Sequence, residues 1–200
     1  GPPGYPHAFH PPAALPPAPL EDQKPAYIRV GRNPVEDIYG EEFRFALNEA
    51  VVISDGDIAG AAVSSRVDWN SLPEKQVTLV ACGEMSRPAI AAGQLLAERG
   101  VHTVVLDMCC VKPLDCRAVT EAAGRSVLVV TAEEHAPFGG LGSMVSQVVG
   151  RECPRKVINL ALPDAPVITG KSQAVFDYYG LNAEGIAGTV LENLQMLGRK

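Results

Sequence analysis

The chain has 200 residues, of which 46% are hydrophobic and 20% are charged, and its formal net charge is −6 at pH 7. This composition predicts one folded domain of ordinary size with some additional chain, and it excludes a protein that is disordered throughout. The acidic balance argues against a protein that binds the nucleic-acid backbone, because there is no basic surplus to displace counterions.

The sequence has no run of eighteen apolar residues, and its first residues lack a basic and then apolar leader. We therefore expect neither a membrane span nor a secretory signal. The cysteines are odd in number and form no CxxC pair, which is typical of reduced thiols in a cytoplasmic protein without a metal site. They are Cys82, Cys109, Cys110, Cys116 and Cys153.

The first part of the chain is irregular. Residues 1–20 contain eight prolines and no Asp, Glu, Lys or Arg, so residues 1–23 are predicted to be an extended, flexible tail. Residues 26–30 (AYIRV) predict a strand followed by a turn, and a second strand is predicted to end at Asp55 and Gly56. Residues 57–75 show no clean period and are predicted to be a surface insertion.

From Gln76 onward, apolar runs alternate with helical patterns. The pattern predicts strands over 76–82, 101–111, 126–132 and 156–162, and helices over 84–99, 141–149, 172–180 and 182–197. Residues 112–124 are predicted to start with a proline that ends the preceding strand and then to become a short helix that ends at Gly124. Asn182 is the predicted N-cap of the last helix. This alternation requires crossover connections, so it predicts an α/β fold with a mostly parallel, doubly wound sheet that helices cover on both faces.

The strand over 126–132 leads into a loop whose side chains include candidates for binding or catalysis. Residues 133–135 (Glu, Glu, His) come first, and Gly139, Gly140 and Gly142 open the following helix. The loop is not a dinucleotide fingerprint, because Val145 stands where the third glycine is needed and no acidic residue ends the next strand. Two interpretations remain: function at the carboxyl end of a strand, or close packing of the helix N-terminus on the sheet.

The stretch VTAEEHAPFGGLGSMVSQVV resembles the C-terminal domain of transketolases, in which a threonine, two acidic residues and a histidine precede two glycines, an aliphatic residue and a further glycine. The resemblance extends over about residues 24–197. It includes the Lys-Pro-x-Asp corner at residues 112–115 and the Tyr-Gly-Leu at residues 179–181.

This resemblance implies a thiamine diphosphate enzyme that transfers a two-carbon ketol unit from a ketose phosphate to an aldehyde. The family's diphosphate-binding motif, G-D-G followed by N-N, is absent. The stretch SDGDIAG at residues 54–60 resembles only part of it. Thiamine diphosphate and Mg²⁺ (or Ca²⁺) are therefore expected outside this chain. The expected partner is a thiamine diphosphate-binding transketolase subunit or the missing domains, in a homo- or hetero-oligomer, with the isolated chain inactive.

The resemblance also assigns domains. Residues 24–56 correspond to the end of the pyrimidine-binding domain and a linker, and residues 76–200 correspond to the C-terminal domain. Arg32 stands where transketolases carry an arginine that binds the substrate phosphate, although an ordinary turn arginine is the alternative, and Arg29 is expected to be structural.

The glycine-rich loop corresponds to a domain and subunit contact in the family rather than to a catalytic site, so no catalytic residue is assigned in this chain. The predicted interface residues are Glu134, His135, Gly139, Gly140 and Gly142. Two other interpretations stay open. One is the equivalent domain of a 2-oxo-acid dehydrogenase beta subunit or of deoxyxylulose-phosphate synthase, and the other is a non-catalytic interaction module. The sequence does not specify the sugar substrate.

Overall fold

The structure, a computed structural model, describes residue 25 and residues 27–29, 37–40 and 42–198. The predicted tail over 1–23 and the candidate phosphate ligand Arg32 lie outside these residues. In the described residues, no helix is long and apolar enough to cross a membrane.

The described part of the chain contains six strands and five α-helices, besides short 3₁₀ turns. The strands are β1 (Val51–Ser54), β2 (Ala62–Val63), β3 (Gln76–Ala81), β4 (Thr103–Asp107), β5 (Ser126–Ala132) and β6 (Val157–Leu160). The helices are α1 (Ser86–Ala97), α2 (Cys116–Gly124), α3 (Leu141–Glu152), α4 (Ser172–Tyr178) and α5 (Ala183–Gly198).

All six strands form one sheet in the order β2-β1-β4-β3-β5-β6. The four strands from β3 to β6 are parallel to one another, whereas β1 is antiparallel to both β2 and β4. Helices cover both faces: α1, α4 and α5 pack on one core, and α2 and α3 pack on the other. The predicted α/β class with a mostly parallel, doubly wound sheet is therefore confirmed.

Some predicted elements are longer than the observed ones. The strand predicted over 101–111 ends at Asp107, because the Cys109 backbone N–H turns back to the Asp107 carbonyl at 3.2 Å. The short helix predicted within residues 112–124 runs from Cys116 to Gly124, and Asp115 is its N-cap. Residues 27–29, predicted to lie in a strand, belong to none, and they do not pair with either edge strand of the described sheet.

Residues 57–75 are only partly a surface segment. They form three 3₁₀ turns and the short strand β2. Trp69 is 5% exposed and packs in the core beneath α2 and α3, and Val63 is also buried. An aromatic side chain of this size contributes a large apolar area to that core, so this segment is tied to the domain through Trp69.

The carboxyl ends of β3, β4, β5 and β6 meet at one edge of the sheet, which we call the carboxyl edge. In open α/β sheets, ligands and partners are usually bound at this edge. The loop that follows β5 lies at this edge, and Arg29 and Tyr39, which precede β1 in the chain, contact it.

Candidate functional site

The glycine-rich loop after β5 is organised by a buried carboxylate, that of Glu133. Its side chain is 1% exposed, and it accepts the backbone N–H of Leu141 at 2.7 Å and that of Gly142 at 2.8 Å. These N–H groups belong to the first turn of α3, where the helix dipole is positive and no intrahelical acceptor is available. Glu133 therefore caps α3 from across the loop through two charge-assisted hydrogen bonds.

Two of the predicted interface glycines are needed for this geometry within the chain. A Cβ on Gly140 would lie 2.7 Å from Cδ of Glu133. A Cβ on Gly142 would lie 2.7 Å from Oγ1 of Thr131 and 2.8 Å from Cγ of Asn159. A side chain at either position would therefore displace these neighbouring groups, because the helix end approaches the sheet closely.

The rest of the loop is fixed by local hydrogen bonds. Ser143 Oγ accepts the N–H of Gly139 at 3.0 Å and donates to the Pro137 carbonyl at 2.7 Å. The carbonyl of His135 accepts the N–H of Leu162, which follows β6, at 2.9 Å. Gly139 has φ of +78° and open space around it. The loop is thus held in one conformation, with the Phe138 side chain 78% exposed at its tip.

The two residues after the buried Glu133, namely Glu134 and His135, contact Arg29. The Arg29 guanidinium donates from Nη2 to Oε1 of Glu134 at 3.2 Å, and its Nη1 contacts Nε2 of His135. Because arginine can only donate, Nε2 of His135 must be the acceptor in this contact. Arg29 is 52% and Glu134 21% exposed, so the ion pair lies at the protein surface. The expectation that Arg29 has a structural role agrees with these contacts.

A second anchor joins the preceding segment to the carboxyl edge at the end of β4. The carboxylate of Asp107, 6% exposed, accepts the Tyr39 hydroxyl at 2.8 Å and the Ser86 hydroxyl at 2.7 Å. Burial raises the pKa of Asp107, and the two hydroxyl donors oppose that shift. The pKa of Tyr39 is also raised, first by burial and then by the negative charge of Asp107.

Aromatic packing reinforces this anchor. The ring of Tyr39 stacks on Phe43 with centroids 4.6 Å apart and meets the edge of Phe45 at 5.2 Å. The Arg87 side chain, at the start of α1, donates to the Asp37 carbonyl at 2.9 Å. The segments on either side of residues 30–36 are therefore both bound to the carboxyl edge of the sheet.

The predicted Lys-Pro-x-Asp corner contains another structural carboxylate, Asp115. It caps α2 by accepting the N–H of Ala118 at 2.9 Å. Its second oxygen accepts the Ala50 N–H at 3.0 Å and the Ser64 hydroxyl at 2.5 Å. Asp115 thus connects the start of β1 and the turn after β2 to the start of α2, which packs on the same core as α3.

Cys82, which follows β3 at the carboxyl edge, is not an activated nucleophile. All five cysteines are free, and burial, aided by the negative charge of Glu133, raises the pKa of Cys82 to about 11. A thiol with so high a pKa is almost fully protonated at neutral pH and is a weak nucleophile. Within the described residues, no group of three or more His, Cys, Asp and Glu side chains could hold a metal ion.

The predicted site residues fall into three groups. Glu134 and His135 lie together and share Arg29 as a partner, and the three glycines form the helix entrance beside them. Arg32 lies outside the described residues, so its role stays a prediction. The prediction omitted Glu133 as a site residue, although an acidic residue ahead of a helix N-terminus was the available signal. The anchor between Tyr39 and Asp107 had no sequence signal.

Comparisons with known proteins agree that this chain is similar to the C-terminal part of transketolases. The model of the family "Transketolase, C-terminal domain" matches residues 70–186, more than half of the chain. One subunit of the apulose-4-phosphate transketolase of Phocaeicola vulgatus is 37% identical over 170 residues, which are 84% of this chain and 48% of that protein. The 1-deoxy-D-xylulose-5-phosphate synthase of Chlorobaculum tepidum is 38% identical over 119 residues, which are 59% of this chain and 19% of that enzyme.

Among solved structures, a split-gene transketolase in an inactive beta4 tetramer is similar to this chain. The TM-score is 0.65 and the identity 32%, and the match covers 82% of this chain and 48% of that one. The chain therefore spans about half the length of the transketolase subunits that it matches.

Proposed function

This chain belongs to the transketolase family through its C-terminal domain, and from that premise we propose that it is the C-terminal part of a split transketolase-like enzyme. The assembled enzyme transfers a two-carbon ketol unit between sugar phosphates. Thiamine diphosphate and a divalent metal, Mg²⁺ or Ca²⁺, are bound outside this chain, and the isolated chain is inactive. The role of this chain is to bind its partners and to complete the substrate site.

The observation that carries this proposal is the extent of the similarity to split transketolases. It covers 84% of this chain in the matching subunit of the apulose-4-phosphate enzyme and 82% in the split-gene transketolase. The resemblance to deoxyxylulose-phosphate synthase covers only 59% of the chain, although its identity is equally high. A synthase of that kind is therefore the second candidate, and its support is restricted to the C-terminal domain.

Within this proposal, residues 24–56 are the end of a pyrimidine-binding domain and its linker, and Arg32 binds the phosphate of the sugar substrate. A guanidinium can place two N–H groups on two phosphate oxygens, which suits this role. The loop of Glu134, His135, Gly139, Gly140 and Gly142 is proposed to lie at a subunit contact. Its fixed backbone and the exposed Phe138 side chain support this proposal, since rigid aromatic groups are favourable interface anchors.

The decisive experiment compares the chain alone with the chain purified together with its partners from source cells. Ketol transfer from a ketose phosphate to an aldehyde is expected only in the complex, and only with thiamine diphosphate and Mg²⁺ present. Calorimetry should detect no cofactor binding to the isolated chain, and micromolar binding there would contradict the proposal. A co-purified complex without ketol transfer would favour a non-catalytic interaction module, and condensation of pyruvate with an aldose phosphate would favour the synthase.

The proposed role of Arg32 is tested in the same complex. Arg32→Ala removes a charge-assisted contact of about 1.5–3 kcal/mol, which corresponds to a roughly ten- to hundredfold loss. The loss should fall on phosphorylated ketoses and spare unphosphorylated ones. If the contact is equal in the ground and transition states, KM rises while kcat is unchanged. Equal losses on both sugars would mean that Arg32 is an ordinary turn residue.

A further inference from the structure

A cavity of about 700 Å³ opens where β3, β5 and β6 begin, at what we call the amino edge of the sheet. Each of these neighbouring parallel strands is preceded by a basic residue that lines the cavity. Lys75 stands directly before β3, Arg125 directly before β5, and Arg155 two residues before β6. The topology therefore gathers three positive charges around a cavity of the size that small-molecule sites have.

The backbone fixes the guanidinium of Arg155. Its Nε donates to the Ser126 carbonyl at 3.0 Å, and its Nη2 donates to the Gly124 carbonyl at 3.3 Å. Its Nη1 donates to the Pro154 carbonyl at 2.9 Å. Arg155 thus holds its charge at the C-terminal end of α2, where the helix dipole favours a cation. A charge that is already ordered attracts a ligand without a further cost in side-chain entropy.

The other two cations keep unused hydrogen-bond donors. Arg125 donates from Nη2 to Oδ1 of Asn70 at 2.6 Å, and its buried Nε has no partner among the described residues. Lys75 forms no ion pair with any acidic side chain that the structure describes. Its φ of +61° lies in the left-handed region that favours glycine, and residues held there are concentrated at functional sites.

The buried amide of Gln76 adds an independent observation. Gln76 follows Lys75 and begins β3; it is 1% exposed, and neither its Oε1 nor its Nε2 has a partner among the described residues. It pairs across the sheet with Ser126, which lines the cavity. Buried polar groups without partners are rare in folded proteins, and water or a ligand commonly satisfies them. Unused polar groups are therefore concentrated beside the three cations.

Two acidic residues, Glu74 and Glu121, also line the cavity. Neither forms an ion pair within the described part of the chain. An ionised carboxylate only accepts hydrogen bonds, so it repels a bare anion but binds hydroxyl groups. With three basic and two acidic side chains the lining is net positive, although the whole chain carries a net charge of −6. This combination suits a ligand that has both a phosphate group and hydroxyl groups.

From this lining we propose that the cavity at the amino edge binds a small phosphate ester that carries several hydroxyl groups. The phosphate contacts Lys75, Arg125 and Arg155, because ammonium and guanidinium groups are the side chains best suited to phosphate oxygens. The hydroxyl groups donate to Glu74 and Glu121. The site lies at the opposite edge of the sheet from the loop after β5, so the proposal does not rest on the proposed function.

Titration calorimetry on the full chain tests the proposal with glucose 6-phosphate, inorganic phosphate and glucose. We expect glucose 6-phosphate to bind, inorganic phosphate to bind about tenfold more weakly, and glucose to show no detectable binding. The differences follow from the loss of hydroxyl contacts in one probe and of the phosphate in the other. No binding of glucose 6-phosphate, or equal binding of glucose, would overturn the proposal.

Lys75→Gly then locates the binding. Glycine adopts the left-handed conformation without strain, so this variant removes the ammonium group and keeps the turn. The affinity for glucose 6-phosphate should fall about tenfold. Arg99→Ala is the matched control, because Arg99 is an exposed cation before β4 that does not line the cavity. An unchanged affinity in Lys75→Gly, or an equal loss in both variants, would show that the ligand binds elsewhere and would overturn the proposal.

Glu121→Ala separates the two parts of the lining. Alanine is compatible with helix α2, and the change removes a negative charge that repels phosphate and an acceptor for hydroxyl groups. The affinity for inorganic phosphate should rise about twofold, and the preference for glucose 6-phosphate over inorganic phosphate should shrink. If the affinity for both probes falls together, or if neither affinity changes, the assignment of the ligand's hydroxyl groups to Glu121 is wrong.

Discussion

Two carboxylates begin the two helices on the same face of the sheet, and they do so in different ways. Asp115 caps α2 from the position directly before the helix, and its second oxygen holds the start of β1 and the turn after β2. Glu133 caps α3 from eight residues before Leu141, and both of its oxygens bind the first turn of that helix. One carboxylate ties distant segments together, and the other fixes a single loop.

The difference shows how a common interaction can serve two purposes. The Asp115 region is a structural corner, because its three donors come from separate parts of the chain. The Glu133 region instead shapes a surface. Its carboxylate fills the space that a side chain on Gly140 would need, and the next two residues are presented to Arg29. A loop fixed in this way can contact partners without the entropy cost of ordering on binding.

The largest loss of stability is expected at Gly140, where the Glu133 carboxylate leaves no space for a side chain. Gly140→Ala would place a methyl group against the Glu133 carboxylate and displace it from its two donors. Overpacking together with a buried carboxylate that loses its partners should lower the free energy of unfolding by about 3 kcal/mol or more. Urea denaturation measures this change.

The matched control lies on the same helix. Gly150 is exposed and has nothing within 4 Å of an added Cβ, so Gly150→Ala should raise stability by about 0.5–1 kcal/mol through helix propensity. Similar effects of the two substitutions would contradict the structural role assigned to Gly140.

Glu133→Gln and Asp115→Asn test directly how the two carboxylates differ. Each change keeps the shape of the side chain but replaces one acceptor oxygen with a donor, which should cost about 1.5–3 kcal/mol at either site. The location of the loosening should differ: around residues 134–142 for Glu133→Gln, and in β1 and the turn after β2 for Asp115→Asn. Hydrogen-exchange mass spectrometry distinguishes these regions. Identical exchange maps for the two variants would show that the carboxylates act on one cooperative unit.

The two regions also differ in what the sequence could predict. The bounds of β5 were predicted in full, because a continuous apolar run bounded by polar residues identifies a buried strand. The cap by Asp115 is local, since it lies three residues before its donor. The contact of Glu134 with Arg29 joins residues 105 positions apart, and no local pattern contains that information. Tertiary pairs between polar side chains therefore had to come from the structure.

A pH experiment probes the third carboxylate, Asp107. Burial raises its pKa in the folded state, so the folded protein holds this proton over a pH range where the unfolded chain has released it. Stability from this group is therefore lost as the pH rises from about 4, the unfolded value, to the folded pKa. Asp107→Asn cannot ionise and can still hydrogen-bond both hydroxyls. Its unfolding free energy should fall less over this pH range than that of the wild type, and parallel pH profiles would contradict this expectation.

The smallest loss of stability is expected at Asn182, an uncharged N-cap that serves as a reference for the charged cap formed by Glu133. The predicted N-cap Asn182 is confirmed, because its Oδ1 accepts the N–H of Gly185 at 2.8 Å at the start of α5. Asn182→Ala should cost about 1 kcal/mol, the typical value for a cap that loses its side-chain acceptor. Glu133 accepts two N–H groups with a charged, buried side chain, so its removal should cost more. If thermal denaturation shows an equal loss for Asn182→Ala and Glu133→Gln, the buried charge adds nothing to the α3 cap. The loop after β5 would then owe its conformation to its glycines and to the hydrogen bonds of Ser143 and of the His135 carbonyl.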